Sequence, residues 1–461
     1  MNCITHASKL TGSITVPGSK SHTIRACLFG ALGEGRSYIK NPLVSEDCLS
    51  ALRCIQELGA VVYQSQDNSV WEIEGAGKRI HLPENVIDVG NSGSVMYFLT
   101  PIAATFPGWT VITGDASIRN RPVKHLAAAL EQLGAETHIT RPHVDAPPLL
   151  VRGSIHSGKV VTDGRLSQYI SGIMMAAARM EGKTVIELTD PKEVPYLDMT
   201  KGWLESVGIP VCMSPDYKHI EIEGPCVFPA IDRTIPSDWE AVAFPLVAAL
   251  LTNSEIVIEN IDSSGSQGDE AIVEILRSVG ANIQWNKDRE QLIVRGGIKA
   301  GDGFGRLSAE QLPDKTLRVN CAGFPDAVPA LSVIACFIEG TTIIEDIGVC
   351  RKKETERITV MCQELTKLGA FVEEGEDYMI IHGHSPLTPD GKVNPEFKIH
   401  GGTVDSFKDH RVAMSFAVMG LALQESVTVK DAECCVVSFP DFFPKMGSLG
   451  AHFDCIQEPK D

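Results

Sequence analysis

No C-x-x-C spacing occurs anywhere in this chain, although it holds thirteen cysteines. Their scatter, with one adjacent pair at Cys434 and Cys435 that cannot readily close a staple, argues against a zinc site or a disulfide framework. It predicts free thiols in a reducing cytoplasm. No apolar run reaches the length of a membrane span, and the first residues lack the basic-then-apolar pattern of a secretory leader. Positive charge is scarce: 41 Lys and Arg stand against 59 Asp and Glu, a net charge of −18. That balance speaks against a nucleic-acid partner or an anionic membrane surface, and leaves small anions as ligands only where cations gather locally. No residue cluster with metal-ligand spacing suggests a metal. What remains is 461 residues of ordinary hydrophobic (43%) and charged (22%) content. One core rarely supports that length, so two domains are expected.

What the chain does have is a repeat. Leu58-Gly59-Ala60, Leu133-Gly134-Ala135, Val207-Gly208-Ile209, Val279-Gly280-Ala281, Leu368-Gly369-Ala370 and Leu449-Gly450-Ala451 each close a helix-like stretch before an apolar run. Glycine in the left-handed conformation ends a helix, and the chain then enters a strand. Six copies spaced about 70–90 residues apart predict one α/β unit of roughly 75 residues used six times. The period exceeds that of ordinary solenoids, so compact lobes are expected rather than a rod.

The local cation clusters punctuate these repeats. Val16-Pro17-Gly18-Ser19-Lys20-Ser21-His22-Thr23-Ile24-Arg25 reads as a turn running into a helix start, with Ser21 and Arg25 on one face. Orphan N–H groups, a hydroxyl, an ammonium and a guanidinium together make an anion site; a capped surface helix fits the same residues. Gly90-Asn91-Ser92-Gly93-Ser94 lets backbone approach a ligand closely, or is a plain turn. Arg119-Asn120-Arg121-Pro122 precedes another helical run. In the second half, Phe324-Pro325-Asp326-Ala327 sets a carboxylate at the edge of an apolar helix. Arg351-Lys352-Lys353-Glu354-Thr355-Glu356-Arg357 opens an amphipathic one, and Lys408-Asp409-His410-Arg411 stands at the mouth of a third. Each fits a solvated, salt-bridged turn when taken alone. Basic residues recur at helix starts in both halves, whereas carboxylates accompany them only in the second.

Taken in order, these motifs resemble the family of 5-enolpyruvylshikimate-3-phosphate synthases, the 3-phosphoshikimate 1-carboxyvinyltransferases. The resemblance runs from Pro17-Gly18-Ser19-Lys20-Ser21 to Ser438-Phe439-Pro440-Asp441-Phe442-Phe443 and includes Ser167-Gln168, Pro195-Tyr196 and Asp409-His410-Arg411. Ser21 to Arg25 and Ser266-Gln267-Gly268-Asp269 are most similar to the chlamydial members. The resemblance implies an α/β fold of two domains, each of three βαβαββ units around a pseudo-threefold axis. One domain would comprise residues 1–18 and 237–461 and the other 19–236, with crossings near Pro17–Lys20 and Ile235–Asp238 and the active site in the cleft.

The same resemblance implies transfer of the enolpyruvyl group of phosphoenolpyruvate to the 5-hydroxyl of shikimate 3-phosphate, with release of phosphate, in a cytoplasmic, monomeric, cofactor-free enzyme. Lys20, Gly93, Arg121 and Gln168 would hold the phosphoenolpyruvate phosphate end, and Arg357 and Arg411 its carboxylate. Ser21, Arg25, Ser167, Gln168, Tyr196 and Lys353 would bind shikimate 3-phosphate together with Lys20 and Asp326. Asp326 would take the hydroxyl proton, Glu354 would exchange the methylene proton, and Lys20 would complete the catalytic set.

Several positions depart from the family pattern. Leu166 replaces the first of two serines before Gln168, and Glu193 replaces another phosphate-binding serine. Ser94 stands for Thr, Tyr97 for Arg, and Val437 for Lys. If the acceptor is phosphorylated, Glu193 is expected to point away from it. Two other readings use the same residues: an enolpyruvyl transferase of this fold acting on a different hydroxyl, and a catalytically dead anion-binding relative. The first includes the UDP-N-acetylglucosamine enzyme, whose usual loop cysteine is absent between Gly114 and Arg121.

Overall fold

A computed structural model describes residues 1–296 and 306–456. The chain forms two compact units, Met1–Pro17 with the chain from Ser237 onward, and Gly18–Pro236. Among the described residues there are twelve α-helices. In the 18–236 unit these are α1 (Lys20–Leu32), α2 (Glu46–Glu57), α3 (Gly93–Ala103), α4 (Lys124–Gln132), α5 (Ser167–Ala177) and α6 (Val194–Ser206). In the other they are α7 (Trp239–Leu251), α8 (Ile272–Ser278), α9 (Val328–Ala335), α10 (Arg357–Lys367), α11 (His410–Gly420) and α12 (Phe442–Ser448).

All six glycines of the repeat adopt positive φ, from +85° at Gly208 to +106° at Gly450. Each is the second of two bonded turns at a helix end. Gly59 N–H donates to Gln56 O (2.9 Å) and Ala60 N–H to Ile55 O (3.1 Å), and the same pair of bonds recurs at the other five copies. This double bond pattern satisfies two carbonyls that the helix leaves over and turns the chain into the next strand.

Six four-stranded sheets follow, all built alike: one parallel pairing, then two antiparallel ones. In the sheet of Ile87–Asp88, Gly108–Thr113, Leu149–Gly153 and Glu136–Ile139, the chain runs βαβαββ without interruption. Two of the six borrow a strand from a remote stretch of their own unit. Asp232–Thr234 pairs with Glu34–Lys40, and Thr11–Thr15 pairs with Glu255–Glu259. In a third, the N-terminal strand Asn2–His6 lies between Val427–Lys430 and His452–Ile456.

The helices alternate in character. The even-numbered ones carry a polar face, as α2 and α10 do with their exposed charges. The odd-numbered ones are apolar almost throughout: α3, α5, α7, α9 and α11 bury nearly every residue. A helix without a polar face must be enclosed by other elements. Each unit therefore has its own core around three inner helices, α1, α3 and α5 in one and α7, α9 and α11 in the other. All thirteen cysteines are free thiols, and no described helix is long and apolar enough to cross a membrane.

Candidate active site

The residues singled out in the sequence concentrate at the N-terminal ends of the inner helices. Lys20 and Ser21 open α1, Gly93 and Ser94 open α3, and Ser167 and Gln168 open α5. In the other unit Asp326 lies two residues before α9, and Asp409 caps α11 just before His410 and Arg411. Unpaired N–H groups and the positive end of the helix dipole favour anions at such ends.

In the 18–236 unit, Arg25 is the organising side chain. It is fully buried, and its Nε donates to Thr200 Oγ1 (2.9 Å) while Nη2 donates to Tyr196 O (3.1 Å) and Nη1 to Ser21 O (3.1 Å). The guanidinium also stacks over Phe98, 4.7 Å from the ring centre. Burial pulls its pKa down to about 9, with Tyr196 opposing the shift. Arg25 thus ties α1 to α6 and α3, and fixes the segment that carries Tyr196. Gln168 Nε2 donates to Ser94 Oγ (3.1 Å), joining the starts of α5 and α3.

Gly93 packs against Arg121: a Cβ there would lie 3.4 Å from Arg121 Nη1, an ordinary contact, so the guanidinium sits against the first turn of α3. Arg121 is itself almost fully buried after a 3₁₀ turn, Ile118–Asn120. Tyr97 Oη donates to Pro122 O (2.6 Å), pinning the loop beside Arg121 to the core.

The other unit holds a denser ionic network. Arg357, fully buried at the start of α10, meets three carboxylates. Its Nε donates to Asp409 Oδ2 (2.7 Å), Nη1 to Asp326 Oδ1 (2.5 Å), and Nη2 to Glu354 Oε2 (2.5 Å) and Asp409 Oδ1 (3.3 Å). Burial by itself would favour the neutral guanidine. Asp409, Glu354 and Asp326 together outweigh it and hold Arg357 well above its ordinary range. Arg411 is likewise buried and pairs with Glu240, with its Nε 3.1 Å from Asp326 Oδ1. Lys353 Nζ lies 3.5 Å from Asp326 Oδ2. Asp326 therefore faces two guanidinium groups and an ammonium.

Three carboxylates of this network were not singled out as site residues from the sequence. Asp409 grips Arg357 and also accepts from Arg411 N–H (2.9 Å), capping α11. Its place beside Arg411 in Asp409-His410-Arg411 was the available signal. Glu240 had none, since it sits 171 residues from Arg411; Asp269 closes the stretch Ser266-Gln267-Gly268-Asp269, which carried the resemblance without a role for the carboxylate. Asp269 is buried, and its pKa is driven well above the carboxylate range by desolvation first, then by Glu240 and Asp326.

A match to the model of one family, EPSP synthase (3-phosphoshikimate 1-carboxyvinyltransferase), covers residues 4–446. The chain belongs to the EPSP synthase family. It is 37% identical over 444 residues to the 3-phosphoshikimate 1-carboxyvinyltransferase of Acetivibrio thermocellus, covering 96% of this chain and 97% of that one. To the enzyme of the same name from Ruminiclostridium cellulolyticum it is 35% identical over 449 residues, 97% and 98% of the two chains. A solved EPSP synthase from Acinetobacter baumannii superposes with a TM-score of 0.77 at 25% identity, covering 99% of this chain and 100% of that one. The enolpyruvyl transferase NikO from Streptomyces tendae shares the fold, with a TM-score of 0.76 at 16% identity over 99% of each chain.

Against the EPSP synthase pattern, the departures fall into two kinds. Ser94 keeps a hydroxyl in use, and Tyr97 is a core residue. Leu166 and Glu193 change the start of α5. Leu166 stands at its N-cap with no side-chain bond to offer. Glu193, expected to point away, turns toward Ser167 instead: its Oε2 accepts from Ser167 N–H (3.2 Å) and Oγ–H (3.0 Å). The physical reason is that the first N–H of a helix has no partner within the helix, and a buried carboxylate needs donors.

The absence of metal-ligand clustering in the sequence does not carry over to the folded chain at one place. His6, His452 and Asp454, from the paired terminal strands, bring potential ligand atoms within 4.8 Å of one another. His6 Nε2 lies 2.9 Å from Asp454 Oδ2 on that exposed surface. The two strands are more than 400 residues apart in sequence, so no local spacing could show it.

Proposed function

We propose that this protein transfers the enolpyruvyl group of phosphoenolpyruvate to the 5-hydroxyl of shikimate 3-phosphate and releases inorganic phosphate. The observation that carries the reading is Arg357 bonded at once to Asp326, Glu354 and Asp409. Two of these carboxylates have proton-transfer tasks in the reaction, and the guanidinium that holds them is suited to a substrate carboxylate.

The carboxylate of phosphoenolpyruvate binds to Arg357 and Arg411. Nη1 and Nη2 of Arg357 are engaged by Asp326 and Glu354 before substrate arrives. A bound carboxylate takes over those donors and frees both side chains for proton work. Asp409 keeps its grip through Nε and holds the guanidinium in orientation. Lys20, Arg121 and Gln168 take the phosphate of phosphoenolpyruvate, with Gly93 packed beside the Arg121 guanidinium. Ser21, Arg25 and Tyr196 bind the shikimate ring and its carboxylate, and Lys353 holds a ring hydroxyl.

The 5-hydroxyl oxygen attacks C2 of the enol, and its proton passes to Asp326. Glu354 delivers a proton to the C3 methylene, giving a tetrahedral adduct. Glu354 then removes a proton from C3, the double bond re-forms, and the C2–O bond to phosphate breaks, the departing phosphate taking up the proton held on Asp326. Developing charge on the phosphate is met by Lys20 and Arg121. The protein acts as a monomer in the cytoplasm. The test is release of inorganic phosphate from phosphoenolpyruvate in the presence of shikimate 3-phosphate, with the enolpyruvyl ether identified by mass. No release with this pair, alongside release with another hydroxyl acceptor, would move the assignment to a different enolpyruvyl transferase.

A further inference from the structure

Glu193 is a buried carboxylate for which the reaction above has no task. It is 2% exposed and lies at φ +51°, the left-handed region that a residue other than glycine rarely takes. It is the N-cap residue of α6, yet its side chain makes no capping bond to that helix. It reaches instead to α5, where both the backbone N–H and the hydroxyl of Ser167 donate to the same Oε2. Ser167 is completely buried, and Leu166 before it supplies no competing acceptor. The two donors that an incoming anion would use at the start of α5 are thus taken up by the chain's own carboxylate. Three residues on, Tyr196 is held by its carbonyl to Arg25, so the segment bearing Glu193 is anchored from both sides.

We propose that Glu193 is an internal occupant of the acceptor-phosphate position, and that it sets how strongly the enzyme prefers a phosphorylated to an unphosphorylated acceptor. The inference rests on the proposed reaction and on Ser167 being an acceptor ligand, as the family resemblance implies. One carboxylate oxygen already uses both Ser167 donors, and a phosphate oxygen cannot use them at the same time. Two like charges at that separation, shielded from water, repel strongly. Shikimate 3-phosphate therefore binds only as Glu193 turns away, and the work of displacing it is subtracted from the affinity for phosphate. Unphosphorylated shikimate leaves Glu193 where it is and bears no such penalty.

The test compares wild type with Glu193→Ser, which restores a hydroxyl, and Glu193→Gln, which keeps the shape and the hydrogen-bond acceptor but removes the charge. Calorimetry measures the Kd of shikimate 3-phosphate and of shikimate for each protein, and circular dichroism checks folding. Both variants are expected to bind shikimate 3-phosphate at least about tenfold more tightly, Glu193→Ser because the Ser167 donors are regained and Glu193→Gln because the like charge is gone. Shikimate should bind within about threefold of wild type, and KM for the phosphorylated acceptor should fall in parallel. A residue that only caps α5 would lower the melting temperature on substitution without moving the ratio of the two Kd values. An unchanged ratio in a folded Glu193→Gln protein overturns the inference. Turnover separates this from the assignment above: tighter phosphate binding in the variants without any product supports the role of Glu193 and refutes the reaction.

Discussion

Replacing Asp409 with asparagine isolates the residue that holds the Arg357 network in place. One carboxylate performs two tasks here: Oδ2 and Oδ1 grip Arg357 at 2.7 and 3.3 Å, while Oδ1 also caps α11 through Arg411 N–H at 2.9 Å. Asparagine has the same shape but only one acceptor oxygen. If that oxygen stays with the helix, the amide NH2 faces the guanidinium, donor against donor. Removing one partner of a buried ion pair costs about 3–5 kcal/mol. Arg357 retains Asp326 and Glu354, so the loss should be about 1.5–3 kcal/mol, the value of a hydrogen bond to a charged group. All atoms involved are fully buried, so water does not soften the effect. Asp409→Ala removes the cap as well and should cost about 1 kcal/mol more. Both costs are read from urea unfolding curves. Because Arg357 also loses its orientation, KM for phosphoenolpyruvate should rise about tenfold or more in Asp409→Asn, by the same hydrogen-bond arithmetic. A variant within about 0.5 kcal/mol of wild type, the range of ordinary surface changes, with unaltered KM would refute Asp409 as the positioning residue.

Asp326→Ala and Glu354→Ala should each reduce kcat by about 10²–10⁴-fold with a smaller change in KM, as expected for groups that move protons in the transition state; steady-state kinetics decides, and near-normal turnover removes the residue from its role. Leu166→Ser should lower KM for shikimate 3-phosphate by roughly two- to tenfold, because a hydroxyl at the N-cap of α5 adds one neutral donor; an unchanged KM would show that the phosphate does not reach that turn. Asp269→Asn addresses pH. Burial, with Glu240 and Asp326, raises the native pKa of Asp269, so its protonated form stabilises the fold fully below the unfolded value of about 3.9. That contribution is lost as pH climbs through the native value, so the asparagine variant should gain on wild type as pH rises above about 4. A gap between the two urea midpoints that does not widen with pH would contradict the shift.

How the chain divides into helices and strands was legible because the governing forces are local. Gly59, Gly134, Gly208, Gly280, Gly369 and Gly450 each end a helix by a conformation that depends on a few neighbours, and all six do so in the same way. The same is true of Asp326, Glu354, Arg357 and Arg411, whose motifs mark helix starts and which the fold brings into one network. Partnership is another matter. That Asp409 would grip Arg357 across 52 residues, or that Glu240 would pair with Arg411 across 171, depends on how α7, α9, α10 and α11 pack. Tyr97 looked like the loss of a cation and is instead a core side chain whose hydroxyl holds the loop beside Arg121. Glu193 shows the limit most sharply. Its identity is plain in the sequence, but its direction was settled by open donors on Ser167, 26 residues earlier, and by the need of a buried carboxylate to be hydrogen-bonded. Periodicity and helix termination are encoded within a few residues; the choice of partner for a buried charge is decided by whatever donors the packed helices leave within reach.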